Sequence, residues 1–158
     1  MSTDLEPGVL ETDHVEVRTL GADDLDWMVR IDEKHSGRRR TEYLRLKLHE
    51  AQADTGVRIS LGAWVDGEPC GYLMGRVYYG EFGIPEPMAV LDHLGVSPAF
   101  TGRRVGAALM RQFRMNLRGL NVETVQTQVD WDQLDLIGFF QKAGFRPSSR
   151  LCLEMPVG

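Results

Sequence analysis

The sequence predicts a single α/β domain in which helices cover the faces of a mixed central sheet. Three observations lead there. Some short stretches alternate apolar and polar residues, others repeat apolar residues every three or four positions, and the two textures interleave along the chain. Read in order they give strand, two helices, three strands, helix, strand, helix, strand, an arrangement that calls for a mixed sheet.

The first strand is Val15 to Leu20, which alternates as a half-buried strand does. Ala22-Asp23-Asp24 supplies acidic residues suited to a helix start, and Leu25, Met28, Val29 and Ile31 form its buried stripe up to Lys34. A basic connection, Lys34 to Arg40, precedes a second helical pattern through Tyr43, Leu44, Leu46, Leu48 and Ala51. Val57 to Val65 then favours a strand, and Asp66-Gly67 is a hairpin signal that pairs it with Cys70 to Tyr79. Two glycines and two prolines mark Gly80 to Pro87 as a loop, and Met88 to Val96 is a fourth strand stopped by Pro98. Val105, Leu109, Phe113 and Leu117 recur every four residues as one helix face, with Ala108 and Leu120 beside them and Gly119 at the end. Thr124 to Val129 alternates as a strand. Leu134 to Ala143 is a helix closed by Gly144, and Leu151 to Met155 is a last strand.

At 158 residues, 42% of them apolar, the chain has the size and core content of one domain, with residues 1–13 as a flexible tail. Its 18 basic and 23 acidic side chains give a formal charge of −5, which argues against general attraction to nucleic acid. Met1 to Leu10 holds no apolar run suited to a signal peptide or membrane span, and two cysteines, Cys70 and Cys152, fit a reducing compartment. A cytoplasmic location without membrane attachment is the expectation, and a Cys70–Cys152 disulfide remains open. His14, His35, His49 and His93 lack metal-ligand spacing, so no metal is expected.

The most informative stretch runs from Leu94 to Leu109, where a strand meets a helix through a glycine-containing turn. Free backbone N–H groups at such a helix start favour a phosphate. Gly106 and Ala108 keep side-chain bulk from the main chain, while Arg103 and Arg104 add positive charge. Familiar phosphate loops do not fit. Gly106 is followed by Ala107-Ala108 rather than Lys and Ser or Thr, and Gly102 to Gly106 lacks the Gly-x-Gly-x-x-Gly spacing. By itself the turn is equally an ordinary connection.

Arg103-Arg104-Val105-Gly106-Ala107-Ala108 resembles the Arg/Gln-x-x-Gly-x-Gly/Ala signature of the GNAT superfamily of N-acetyltransferases, in the same place after the fourth strand. Phe139-Phe140-Gln141-Lys142-Ala143-Gly144-Phe145 is similar to that family's Phe-Tyr-x-x-x-Gly-Phe segment. The likeness of element order spans Val15 to Met155, and the motifs lie between Leu91 and Phe145. The resemblance implies a mostly antiparallel sheet with helices on both faces, splayed between strands 4 and 5. It also implies acetyl-CoA (coenzyme A) as co-substrate, with the pyrophosphate at Arg103 to Ala108 and pantetheine pairing with the main chain of Leu94 and Val96. Gly95 is expected to mark a bulge there.

The implied reaction transfers an acyl group to the amine of a small molecule or protein by direct attack in a ternary complex. Because a lysine-like amine has a pKa of ~10.4, a group must take its proton. Family members place a carboxylate on the fourth strand, which points to Asp92, with His93 as the alternative and Glu81 behind them. Alternation places Asp92 and His93 on opposite faces. The family's general-acid tyrosine falls at Phe140 and its asparagine at Gln133, so both of these implied cofactor-site residues depart from the pattern. Tyr43, Tyr78 and Tyr79 are substitutes for the acid. The same departures suit a module that binds acyl-CoA without turnover. Arg38-Arg39-Arg40 is either a recognition cluster for an anionic substrate group or a solvated basic turn. The sequence leaves the oligomeric state open, with a homodimer among the arrangements because similar proteins often dimerise.

Overall fold

A computed structural model describes residues 15–53 and 59–158. The expected tail at residues 1–13, His14 and the start of the second strand at Val57 lie outside the described residues. By internal contacts the chain forms two compact units, the first running to Thr127 and the second Gln128–Gly158.

The first unit holds strands β1 (Val15–Thr19), β2 (Leu61–Val65), β3 (Glu68–Tyr78), β4 (Met88–Val96) and β5 (Thr124–Gln126). Helices α1 (Leu25–Ser36), α2 (Thr41–Ala53) and α3 (Val105–Gly119) complete it. The strands form one sheet in the order β1-β2-β3-β4-β5. The first four are antiparallel to their neighbours and β4 is parallel to β5. Asp66 and Gly67 both take positive φ, 50° and 78°, so the hairpin closes through the two-residue turn their chemistry predicts.

Side-chain alternation along β3 divides the two faces. Tyr72 and Met74 join Trp64 and residues of α1 and α2, including Trp27, Met28 and Leu48, in one buried cluster. Gly71 and Gly75 face the other way, where added Cβ atoms would lie 2.8 Å from Val105 and 2.7 Å from Phe113 of α3. The helix thus lies flat on β3 because its largest core residue meets no side chain there. Val105, Leu109, Phe113 and Leu117 are all buried, as their four-residue spacing predicts.

Several expectations need correction. α1 continues to Ser36, past Lys34, and ends where Gly37 takes φ 71°. Leu46 and Leu120 are exposed, whereas α3 does end at Gly119 as expected, with Asn121 taking the left-handed conformation beyond it. β5 ends at Gln126 rather than Val129. Leu151 to Met155 forms no strand, and Leu151 and Leu153 are 87% and 86% exposed. Alternation specifies which way side chains point, but a strand also requires a ladder partner, which that segment lacks. Helix α4 (Leu134–Ala143) stands in the second unit as expected, closed by Gly144 at φ 105°.

Gly75→Ala should cost about 1–3 kcal/mol of stability through overpacking against the immobile Phe113 ring. The expected reading is a lower urea midpoint with an unchanged m-value.

Candidate active site

β4 hands over to α3 through a turn with unusual backbone geometry. Pro98–Phe100 is a single 3-10 turn with Phe100 buried, and Gly102 and Arg104 then take φ 83° and 57°. A left-handed arginine costs roughly 1–2 kcal/mol, so the turn is held by its surroundings rather than by local preference. Arg104 occupies the N-cap position without a side-chain cap, and the first α-helical bond runs from the Ala108 N–H to the Arg104 carbonyl at 3.0 Å. The amides of Val105, Gly106 and Ala107 are therefore the donors that a helix start leaves without intrahelical acceptors. Arg104 and Ala107 are exposed, whereas the Val105 and Ala108 side chains are buried in the core. Of the candidate cofactor residues, these two can offer only main chain. Arg103 lies with its guanidinium 5.6 Å from the Phe100 ring.

Among the described residues, β4 has a ladder partner on its outer edge over only its first three positions. Its parallel ladder with β5 holds three pairs, Met88 with Thr124, Ala89 with Val125 and Val90 with Gln126. The Thr127 hydroxyl then donates to the Leu91 carbonyl at 2.8 Å, so a side chain takes the acceptor at which another rung would form. The Ser97 N–H donates to Cys70, which makes Val96 and Gly71 a pair whose own polar groups point away from each other. By alternation Leu94 and Val96 turn their main chain outward. The His35 imidazole reaches one of those groups, with Nε2 2.5 Å from the Val96 carbonyl.

A bulge decides where the acid-base candidates stand. Met74 pairs with His93 and Gly75 with Leu91, which leaves Asp92 unopposed. The bulge is thus at Asp92 and not at Gly95. Gly95 has a different reason to be glycine, since an added Cβ would lie 2.8 Å from the Tyr72 ring. The bulge also cancels the expected alternation, because Asp92 and His93 both find partners on the α1 and α2 side. Asp92 pairs with Lys47 of α2 at 2.9 Å. His93 places Nε2 2.9 Å from the Tyr72 hydroxyl and 3.4 Å from a carboxylate oxygen of Asp32. Asp32, only 2% exposed, is held by Arg40 through two bonds of 2.9 and 2.5 Å. Burial lowers the His93 pKa and outweighs the opposing pull of Asp32, so the imidazole is neutral at pH 7. Lys47 is raised chiefly by its hydrogen bond to Asp92 and stays charged.

The chain matches the acetyltransferase (GNAT) family over residues 24–145. It belongs to the GNAT acetyltransferase family. No curated protein sequence matches it. Among solved structures it is similar to a transcriptional regulator from Bacillus halodurans C-125, with a TM-score of 0.75 and 20% identity over 91% of this chain and 100% of the other. It is also similar to aminoglycoside N-acetyltransferase AAC(6')-Iy in complex with CoA, with a TM-score of 0.75 and 15% identity over 90% and 95% of the two chains. A third neighbour is a ribosomal-protein-alanine N-acetyltransferase from Brucella melitensis biovar Abortus 2308, at 0.72 and 15% over 91% and 99%. At these identities the likeness establishes the fold.

Other GNAT candidates are placed less favourably. Arg39 pairs with Glu33 and Arg40 with Asp32 while stacking over Tyr43, so two of the three clustered arginines already serve neighbouring acids. Tyr43 is partly exposed with its ring 6.3 Å from that of His93, Tyr78 donates to Gln126, and Tyr79 and Glu81 are exposed. In the second unit, Phe140 is buried between Phe139 and Phe145, and Gln133 accepts a bond from the Asp130 N–H. Cys70 and Cys152 are free thiols. Burial pushes the Cys70 pKa up to about 11, which removes it as a nucleophile. Among the described residues no cluster of His, Cys, Asp and Glu suits a metal ion, and no helix is long and apolar enough to cross a membrane. Asp32, Lys47, Tyr72 and His35 escaped the sequence reading because each is ordinary alone and acquires meaning only from partners distant in the chain.

A His93 pKa lowered in the folded state means that the unfolded chain binds the proton more readily. Stability is then full above the unfolded value of about 6.5 and falls as the pH drops below it. Urea titrations from pH 7.5 to 5 should show this loss, and His93→Gln should flatten that part of the curve.

Proposed function

We propose that this protein is an acyl-CoA-dependent N-acyltransferase that transfers an acetyl group to a primary amine by direct attack in a ternary complex. The observation that carries the reading is the open β4 edge at Leu94 and Val96 leading straight into the uncapped start of α3. An extended pantetheine can pair with that edge as an added strand, and a pyrophosphate fits the amides of Val105 to Ala107. Arg103 and Arg104 supply charge beside it. The bound co-substrate supplies an activated thioester carbonyl. Occupying the edge requires that His35 release the Val96 carbonyl or share it.

His93 is the group placed to take the amine proton, because it is a neutral imidazole at pH 7, whereas Asp92 is engaged by a lysine. With Nε2 turned toward Tyr72 and Asp32, Nδ1 is the nitrogen left for an incoming amine. Phe140 cannot protonate the leaving group, but a thiol of pKa ~8.5 departs as a stable thiolate without help. The buried, high-pKa Cys70 agrees with direct transfer rather than an acyl-enzyme. Acceptors named for the fold neighbours include aminoglycosides and a ribosomal protein, so both small-molecule and protein amines belong in the substrate panel.

Phe140 also suits a second reading, a binding module without turnover. Acetyl-CoA binding without acetylation of any amine in a broad panel would select it. Gly106→Glu should abolish CoA binding measured by calorimetry, since it puts bulk and negative charge at the phosphate site; unchanged affinity would remove the cradle. His93→Gln should lower kcat by about 10²–10⁴, and Asp92→Asn should change it far less. A larger loss in Asp92→Asn than in His93→Gln would return the role of base to Asp92.

A further inference from the structure

Between α1, α2 and β4, buried and half-buried polar groups surround His93, and the proposed reaction does not itself require them. Asp32 is among the most buried charged residues described, yet its carboxylate is fully engaged: Arg40 Nε and Nη2 bind one oxygen each, and the oxygen shared with Nη2 also faces His93 Nε2. Tyr72 hydroxyl is the other neighbour of Nε2. A tyrosine hydroxyl can donate or accept and so leaves the imidazole tautomer undecided. A carboxylate can only accept, which favours the proton on Nε2 and leaves the lone pair on Nδ1. Asp32 alone would also draw His93 toward the charged form. Arg40 opposes that by placing a fixed positive charge on the same carboxylate.

We propose that the Asp32–Arg40 ion pair is a positioning unit for the acid-base site: Asp32 holds His93 as its Nε2–H tautomer with Nδ1 free, and Arg40 offsets the Asp32 charge so that the ring stays neutral. This rests on the reading of His93 as base given above, although the tautomer and titration it specifies are properties of the resting protein. The groups facing His93 are Asp32 from α1, Arg40 from the α1–α2 connection, Tyr43 from α2, Tyr72 from β3 and Asp92 on its own strand, the last paired with Lys47. The two members of the pair act on the ring with opposite sign. An ion pair that only ties α1 to its following turn, without acting on the ring, would leave the His93 titration and tautomer unmoved in both single variants.

The test is 15N NMR of the histidine side chains of the full chain across pH 4.5 to 8.5, with His93 assigned by loss of its signals in His93→Gln. The wild-type ring should show the Nε2–H tautomer. Arg40→Gln should raise the His93 pKa by roughly one unit and Asp32→Asn should lower it by a similar amount. Arg40→Lys, which keeps the charge, should restore most of the wild-type value, and the Asp32→Asn/Arg40→Gln double variant should fall between the singles. An Nδ1–H tautomer in the wild type would overturn the proposal, as would shifts of the same sign in both single variants. The acidic limb of the kcat/KM profile should follow the NMR values, upward for Arg40→Gln and downward for Asp32→Asn. Should the NMR shifts appear while that limb stays still, the positioning unit stands and His93 loses its role as base.

Discussion

The architecture turns on a parallel ladder that stops after three pairs. Had β4 and β5 paired along their length, every main-chain group of β4 would be taken, and the turn into α3 would be a closed strand-to-helix connection. Instead the Thr127 hydroxyl satisfies the Leu91 carbonyl, so the ladder ends without stranding a buried acceptor. Outward-facing polar groups of Leu94 and Val96 are the consequence. They continue directly into the uncapped amides of α3, giving one main-chain track along strand and helix start that no neighbouring strand pairs and on which His35 holds the Val96 carbonyl.

A second irregularity, the bulge at Asp92, gives this edge its chemistry. Inserting one unopposed residue rotates the strand so that Asp92 and His93 both meet the α1 and α2 side. That brings a carboxylate paired with Lys47 next to an imidazole beside an Asp32–Arg40 pair whose carboxylate is buried and whose guanidinium is partly exposed. Such a half-exposed pair is weak support for stability, since solvent screens part of its attraction and ordering the arginine costs entropy. Its position against His93, whose pKa burial lowers, gives it a chemical reason to be there. Gly95 belongs to the same design, since its missing side chain lets the Tyr72 ring lie across β4 and present its hydroxyl to His93.

Legibility followed the range of the interactions involved. The four-residue stripe of α3, the Asp66-Gly67 hairpin and the glycine closing α4 were readable because each depends on neighbours a few positions away. Leu151 to Met155 misled for the complementary reason. Its alternation is real, but pairing is a property of two segments, and no second segment among the described residues takes it up. The same limit explains why Asp92 and His93 were expected on opposite faces: the period-two rule holds until a bulge breaks it, and the bulge depends on the register with β3.

What the sequence determined by itself was every element but the expected last strand, their order, the glycine turn into α3 and, through two short motifs, the family. These follow from backbone preference and local spacing, which the chain carries wherever it is. Only the tertiary structure decided that Val105 and Ala108 offer main chain alone, that two of the three clustered arginines are spoken for, and that Asp32, Arg40, Tyr72 and His93 form one unit. Those four residues span 62 positions from first to last and come together only when α1 and its following turn fold onto the sheet. Charge, tautomer and pKa depend on distances of a few ångströms, and no pattern along the chain encodes a distance across it.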